Sequence, residues 1–315
     1  MTGLSTPAPA RTTAGRGPGA TGRGRRRGGP YRWSARAFSL PAILFVAVLL
    51  YLPFLWTAAI SFTEYDGLGS PEWVGWANYT EMFADPNFTT SMRNTLMWVV
   101  GTITVPVGLG LLIAVLTHDM RFGAWFRLPF LLTYAVSPVA VGVVWTFVLQ
   151  NGGGLSQALD GLGLPGADSR WLLDEPLNTL MMIGAWAWQQ TGVNALLFVI
   201  GLQSIPKEPL EAARLDGASG WRMFRHMLWP MLRPLTTVVV GLALVASLKT
   251  FDIVMAMTEG GPGRNSETLA LTMYREAFVS SAYGAGSAVA LFLTVVTLVA
   301  AITYLRRQLS TKHEI

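Results

Sequence analysis

Cysteine is absent from the 315 residues, and charged residues make up only 13% of them. The first absence excludes disulfide scaffolds, thiolate zinc sites, iron–sulfur clusters and cysteine nucleophiles. The second argues against a water-solvated globular fold, since soluble domains carry about 25% charged residues. Lysine occurs only at 207, 249 and 312, after Pro, Leu and Thr, so the Gly-Lys-Ser/Thr core of a phosphate-binding loop is missing. Histidine is confined to His118, His226 and His313, too dispersed for a metal site and without a His-Glu-x-x-His run. Two Gly-x-Gly-x-x-Gly matches, at 17–22 and 161–166, sit in Gly-rich stretches that neither follow a strand nor open a helix. No nucleophile–base pair stands out, so no catalytic residue and no metal ligand are assigned, and the chain is expected to hydrolyse no nucleotide itself.

What is present is apolar: 51% of the residues are hydrophobic, gathered in blocks near 20 residues long. A helix of about 20 residues crosses a hydrocarbon core of roughly 30 Å. The expected fold class is therefore an all-α integral membrane protein with six transmembrane helices, near 38–63, 92–117, 124–149, 177–203, 231–258 and 283–305. Residues 1–35, rich in Gly, Pro and Arg, are expected to form a disordered tail, and 307–315 a short second tail. A cleaved signal peptide is disfavoured, because the first apolar stretch runs past Phe62, too long for a signal core.

The formal charge of +5 invites a nucleic-acid reading, but the basic residues follow topology instead. With the amino end inside, Lys and Arg fall in the tail, at Arg121 and Arg127, at Lys207, Arg214, Arg222, Arg225 and Arg233, and at Arg306, Arg307 and Lys312. The other connections hold only Arg93, Arg170, Arg264 and Arg275. This bias predicts a multi-pass protein of the cytoplasmic membrane with both termini cytoplasmic, in contact with lipid and not with nucleic acid. The loop 64–91 carries Glu64, Asp66, Glu72, Glu81 and Asp85 with no Lys or Arg, and its Trp73, Trp76 and Tyr79 suit a membrane–water interface. Its two Asn-x-Thr sequons are read as chance.

Two polar sets fall inside apolar segments. Lys249 and Asp252, three apart, share a helix face, and each charge at mid-membrane costs about 2.5–3.5 kcal/mol. They form either a structural pair or part of a substrate pathway. Trp186, Gln190 and Asn194 stand at i, i+4 and i+8, one stripe offering an aromatic face and amide groups, suited to a translocation path or to helix–helix hydrogen bonding. Trp188 and Gln189 point elsewhere and read as packing residues.

The connection 204–230 is the most informative. Pro209 suits the first turn of a short helix through Leu215, which Gly217 ends in a left-handed conformation. Ser219 caps a second helix carrying Trp221, Phe224 and Leu228. The Ala212-Ala213 pair leaves a nearly bare face for close approach, with Glu211, Arg214 and Asp216 supplying charge.

The run Glu211-Ala212-Ala213-Arg214-Leu215-Asp216-Gly217-Ala218, followed by Pro230, resembles the "EAA" loop of permease subunits of binding-protein-dependent ABC importers. Met227 and Trp229 stand where Ile and Leu are usual, both apolar. Val74 to Tyr79, Arg93 to Leu96, Trp145, Gly201 to Pro206 and Thr258 to Pro262 extend the resemblance over most of 38–305 and toward the sugar-importing, maltose-type branch. The resemblance implies a type I ABC importer permease fold over 36–306, with the 204–230 hairpin as coupling element and Glu211, Ala212, Ala213, Asp216 and Gly217 as ATPase-coupling residues. It further implies a second homologous permease, an ATPase subunit dimer that binds ATP and Mg, an extracytoplasmic solute-binding protein and a carbohydrate substrate. The alternatives are a permease for an amino acid, peptide or phosphate, a stand-alone carrier or channel, and a lipid-linked transferase using the acidic loop 64–91.

Overall fold

A computed structural model describes residues 31–310, with side chains described for 38–306. The Arg-rich segment up to residue 30 and the last five residues of the carboxyl tail lie outside the described residues. The chain divides into two compact units, Met1–Leu52 and Pro53–Ile315.

The described part of the first unit is helical: α1, Tyr31–Val46, then a π turn, Ala47–Tyr51. Helix thus begins a few residues ahead of the expected end of the tail at 35.

Helix α2, Leu52–Ile60, begins at the last residue of the first unit; in the second unit it is followed by the two-residue strands β1, Thr63–Glu64, and β2, Glu72–Trp73, paired antiparallel with Thr63 opposite Trp73. Phe62 is walled by Trp73, Trp76 and Tyr79, with ring centroids 5.7, 5.1 and 5.4 Å away. Asn78 donates to the carbonyls of Ser61 and Thr63, so this sequon asparagine is a structural clasp. After α3, Ala77–Ala84, Asp85 caps α4, Pro86–Thr117, by accepting from the Asn87 N–H at 2.9 Å, with Pro86 in the first turn where its missing N–H costs nothing.

The expected third span is two helices, α5, Gly123–Tyr134, and α6, Pro138–Leu149. Pro138 disfavours helical geometry at Ser137, whose side chain instead accepts from the Ala140 N–H. The carbonyls freed at this break need donors away from water. Gln189 supplies one, its side-chain N–H donating to the Val136 carbonyl at 2.5 Å.

Beyond α7, Gly154–Gly161, comes α8, Leu177–Gln203, 27 residues that match the expected fourth span. Next are α9, Lys207–Leu215, α10, Gly220–Met223, a π turn at Phe224–Leu228, and α11, Trp229–Leu248. The expected fifth span is also broken: α11 stops before Lys249 and α12, Asp252–Met257, starts anew. Helix α13, Leu269–Tyr274, runs into a π turn, Arg275–Val279, and α14, Tyr283–Ser310, closes the chain.

Among the described residues, five stretches are long and apolar enough to cross a membrane: Phe38–Ile60, Pro86–Thr117, Pro138–Gly161, Gly220–Leu248 and Tyr283–Arg306. The expected fourth span, α8, falls short of that apolarity because Asn178, Gln189, Gln190 and Asn194 dilute it. Its position explains how it carries them. Helix α8 packs against α4, α5, α6 and α11, which bury Asn178, Gln189 and Asn194, while Leu180, Leu196 and Ile200 stay exposed on its open side. It also runs through two of the three cores. One core gathers Trp98, Val141, Leu172, Met182 and Ile253 near its start. The other gathers Val107, Phe198, Leu202 and Leu232 near its end. A third, with Phe88, Leu248, Leu269 and Val289, joins α4, α11, α13 and α14.

Candidate functional site

The hairpin between α8 and α11 is built from its sequence upward. Helix α9 ends in a paired cap: the Ala218 N–H donates to the Ala213 carbonyl at 2.9 Å and the Gly217 N–H to the Arg214 carbonyl at 3.0 Å. That motif needs a left-handed residue, and Gly217 has φ +81°. Ser219 occupies the capping position of α10 but its hydroxyl makes no capping bond, contrary to the expectation. Gly220, left-handed at φ +52°, turns the first residues of that helix away from the geometry a serine cap requires.

Glu211, Ala212, Asp216 and Gly217 are exposed and Ala213 is half-buried. Leu215 beside them is 90% exposed and Trp221 70%, two large apolar side chains that the sequence reading did not single out as contact residues. Their signal was present, since a leucine and a tryptophan at the tip of a charged hairpin have no core to enter. The base of the hairpin is anchored, with Leu210 and Leu228 packing on the core around Phe198, Leu202 and Leu232. Arg214 reaches Asp119, just past the end of α4, at 3.4 Å. The hairpin is thus exposed at its tip and fixed to α4, α8 and α11 at its root.

On α8, Trp186 is half-buried and meets the buried Trp98 of α4 edge to face at 6.2 Å. Gln190 is half-buried and makes no hydrogen bond among the described residues. Asn194 is buried against α4, where a Cβ added at Gly110 would lie 2.6 Å from its own Cβ. Trp188 stacks edge to face on Trp145 at 6.0 Å.

Lys249 and Asp252 do not share a continuous helix face. Thr250 and Phe251 between them are non-helical, and both charged residues are exposed. No ion pair joins the two among the described residues. The cause is tertiary: the Thr250 carbonyl leaves the helix to accept from the Thr268 hydroxyl at 2.8 Å. Lys249 borders a crevice of about 530 Å³ with Tyr274, Thr294 and Thr297.

The strongest polar cluster was not foreseen. Glu267 is fully buried and takes a hydrogen bond from Arg264 at 2.9 Å, another from Arg275 and a third from the Thr272 hydroxyl at 3.0 Å. Arg264 also reaches Glu276 at 3.2 Å and Asp85 at 3.9 Å. Burial opposes the Arg264 charge, but the bond to Glu267 and the fields of Glu267, Glu276 and Asp85 outweigh it, holding the guanidinium above its ordinary value. The clasp pins the Thr258–Glu267 loop, where Ser266 bonds both Thr258 and the Gly261 carbonyl, at 2.8 and 2.7 Å. Apart from Asp85 its members lie within 264–276, so the charge pattern was visible in the sequence, but the full burial of Glu267 that makes it a clasp was not.

A helical bundle with several membrane-length apolar helices, buried amides on α8 and an anchored hairpin with an exposed tip is the architecture expected of a membrane transport subunit. Residues 106–311 match the family of binding-protein-dependent transport system inner membrane components, and the chain belongs to that family. It is 34% identical over 264 residues to the sn-glycerol-3-phosphate transport system permease protein UgpA of Agrobacterium fabrum, covering 82% of this chain and 88% of that protein. It is 26% identical over 279 residues to a probable starch degradation products transport system permease protein of Thermoanaerobacterium thermosulfurigenes, covering 88% and 94%. A crystal structure of a bacterial ABC transporter involved in the import of the acidic polysaccharide alginate contains a chain of the same fold, with TM-score 0.77 and 20% identity over 88% of this chain and 95% of that one. The fold is that of a type I ABC importer permease.

Proposed function

We propose that this chain is the permease subunit of an ATP-driven carbohydrate importer, in which the 209–230 hairpin receives the motion of a separate ATPase pair. The carrying observation is the hairpin itself: Glu211, Ala212, Asp216, Leu215 and Trp221 exposed at its tip, Leu210 and Leu228 anchored in the core below α8. A rigid tip with a packed root transmits displacement, because close-packed interiors deform little. Glu211 and Asp216 supply charge contacts, Ala212 and Ala213 permit close approach, and Gly217 makes the turn. ATP and Mg bind the ATPase subunits, and this chain needs no cofactor of its own.

A second, homologous permease completes the pathway, and an extracytoplasmic binding protein delivers the solute. Both termini are cytoplasmic, on the side of the hairpin. Trp186 and Gln190, both half-buried, line the route, Asn194 packs beside them against α4, and Lys249 and Asp252 stand at the break between α11 and α12; a stacking ring and an amide suit hydroxylated rings. The relatives named for starch products and for glycerol phosphate support a carbohydrate or polyol cargo.

The test is co-purification and uptake. A tagged chain should bring down an ATPase and one further multi-spanning protein. Glu211→Lys should leave that assembly intact while lowering ATP-dependent uptake at least tenfold. Wild-type uptake in this variant, or transport by the chain reconstituted alone without ATP, would overturn the proposal.

A further inference from the structure

We propose that the bundle carries a second sugar-holding site, an outer subsite for a neutral carbohydrate ring, at the Leu177 end of α8, opposite the hairpin. This inference rests on the carbohydrate-importer reading and narrows its cargo. A cavity of about 520 Å³ opens there between the end of α6, the connection before α8 and the loop after α12. That volume falls within the roughly 300–1,000 Å³ typical of small-molecule sites.

Its chemistry is specific in two respects. The floor is apolar, formed by the buried Leu172 and Met257 with Pro262 beside them, which matches the C–H face of a pyranose. Facing it stand the side-chain amides of Gln150 and Asn151, both exposed and without a hydrogen bond among the described residues. An amide both donates and accepts, as ring hydroxyls demand.

The second respect is charge. No ionisable residue lines the cavity. The cations nearby are already matched, Arg170 to Asp174 on the connection before α8 at 2.6 Å and Arg93 of α4 to Glu175 at 2.5 Å. A phosphate or uronate would enter with no counter-charge and lose hydration, which is costly. A neutral sugar loses only hydroxyl hydration, which the amides restore.

One wall is preorganised. Thr258 and Gly261, which line the cavity, are tied through Ser266 to a loop that the Glu267 clasp holds. A fixed wall opposite two free amides lowers the ordering cost of binding.

The experiment uses the full-length chain with its co-purified subunits in lipid nanodiscs, without ATP. Saturation-transfer NMR is recorded with maltose, trehalose and glucose 6-phosphate at millimolar concentration. Transfer to at least one neutral disaccharide is expected, with glucose 6-phosphate at background. The Gln150→Leu/Asn151→Leu double variant should reduce that transfer at least fivefold, and Asn151→Ala alone at least twofold. Leu162→Ala, on the same connection but outside the cavity, should keep it. Because both amides are unbonded in the fold, the variants should co-purify as the parent does. Undiminished transfer in the amide variants, equal transfer to glucose 6-phosphate, or none to either disaccharide would overturn the subsite. The importer reading is judged separately: a complex that assembles and takes up carbohydrate yet fails these arms loses only the outer subsite.

Discussion

Glu267 shows how much one side chain can organise. It is the buried acceptor between Arg264 and Arg275, so replacing it by a neutral isostere leaves two guanidinium groups short of their partner. Breaking a buried pair in this way costs about 3 kcal/mol. Glu267→Gln should therefore lower the thermal midpoint of the detergent-purified chain, followed by tryptophan fluorescence, while Arg170→Gln, removing an exposed pair, should shift it little. Gly217 poses a different residue-scale problem. Space around it is open, since a Cβ there would meet nothing within 4 Å, so the cost of Gly217→Ala is purely the left-handed backbone, about 1 kcal/mol. Hydrogen exchange at the Gly217 and Ala218 amides should accelerate about fivefold, and unchanged exchange would argue that the cap does not hold the hairpin tip.

Among the elements, α8 sets the limits on packing. A Cβ at Gly192 would lie 2.0 Å from the Phe130 carbonyl oxygen, so Gly192→Ala forces α5 and α8 apart. Overpacking of this kind costs about 1–3 kcal/mol. Gly184 on the same helix is exposed and has nothing within 4 Å, so Gly184→Ala should be tolerated and gains up to about 1 kcal/mol of helix propensity. Comparing the thermal midpoints and yields of the two variants separates close helix contact from mere length of helix. Gln189 acts at the same scale, holding the α5–α6 break through Val136. Gln189→Leu should cost about 1 kcal/mol and loosen exchange at 135–137, in line with one lost hydrogen bond to a part-buried carbonyl.

For the whole molecule, the absence of cysteine is an experimental advantage. Ser70→Cys and Ser219→Cys each place a single thiol at an exposed position, the first between β1 and β2, the second in the hairpin. With an impermeant maleimide, Ser70→Cys should label on intact cells and Ser219→Cys only after permeabilisation. The reverse pattern would invert the proposed orientation and put the hairpin out of reach of a cytoplasmic ATPase. The same scale explains the division of labour within the bundle: the buried amides Asn178, Gln189 and Asn194 collect on the packed side of α8, and its open side carries Leu180, Leu196 and Ile200.

Membrane class, the approximate limits of most helices and the hairpin were legible in the sequence because each rests on local information. Apolar length gives a span, Pro209 and Gly217 mark the ends of a helix, and basic residues cluster in connections. The breaks were legible only in part. Pro138 announces the interruption of the third span, but nothing near Lys249 announces that of the fifth, which follows from Thr268, eighteen residues further on, drawing the Thr250 carbonyl out of its helix. The Lys249–Asp252 face disappeared for the same reason, and the Glu267 clasp stayed hidden because its partners meet only after the chain has folded. Sequence determines what the chain can say about itself over one helical turn or one apolar run. Which buried polar groups find one another, and hence where helices stop and cavities open, was decided by tertiary structure, because an unpaired polar group away from water must find a partner wherever the fold supplies one.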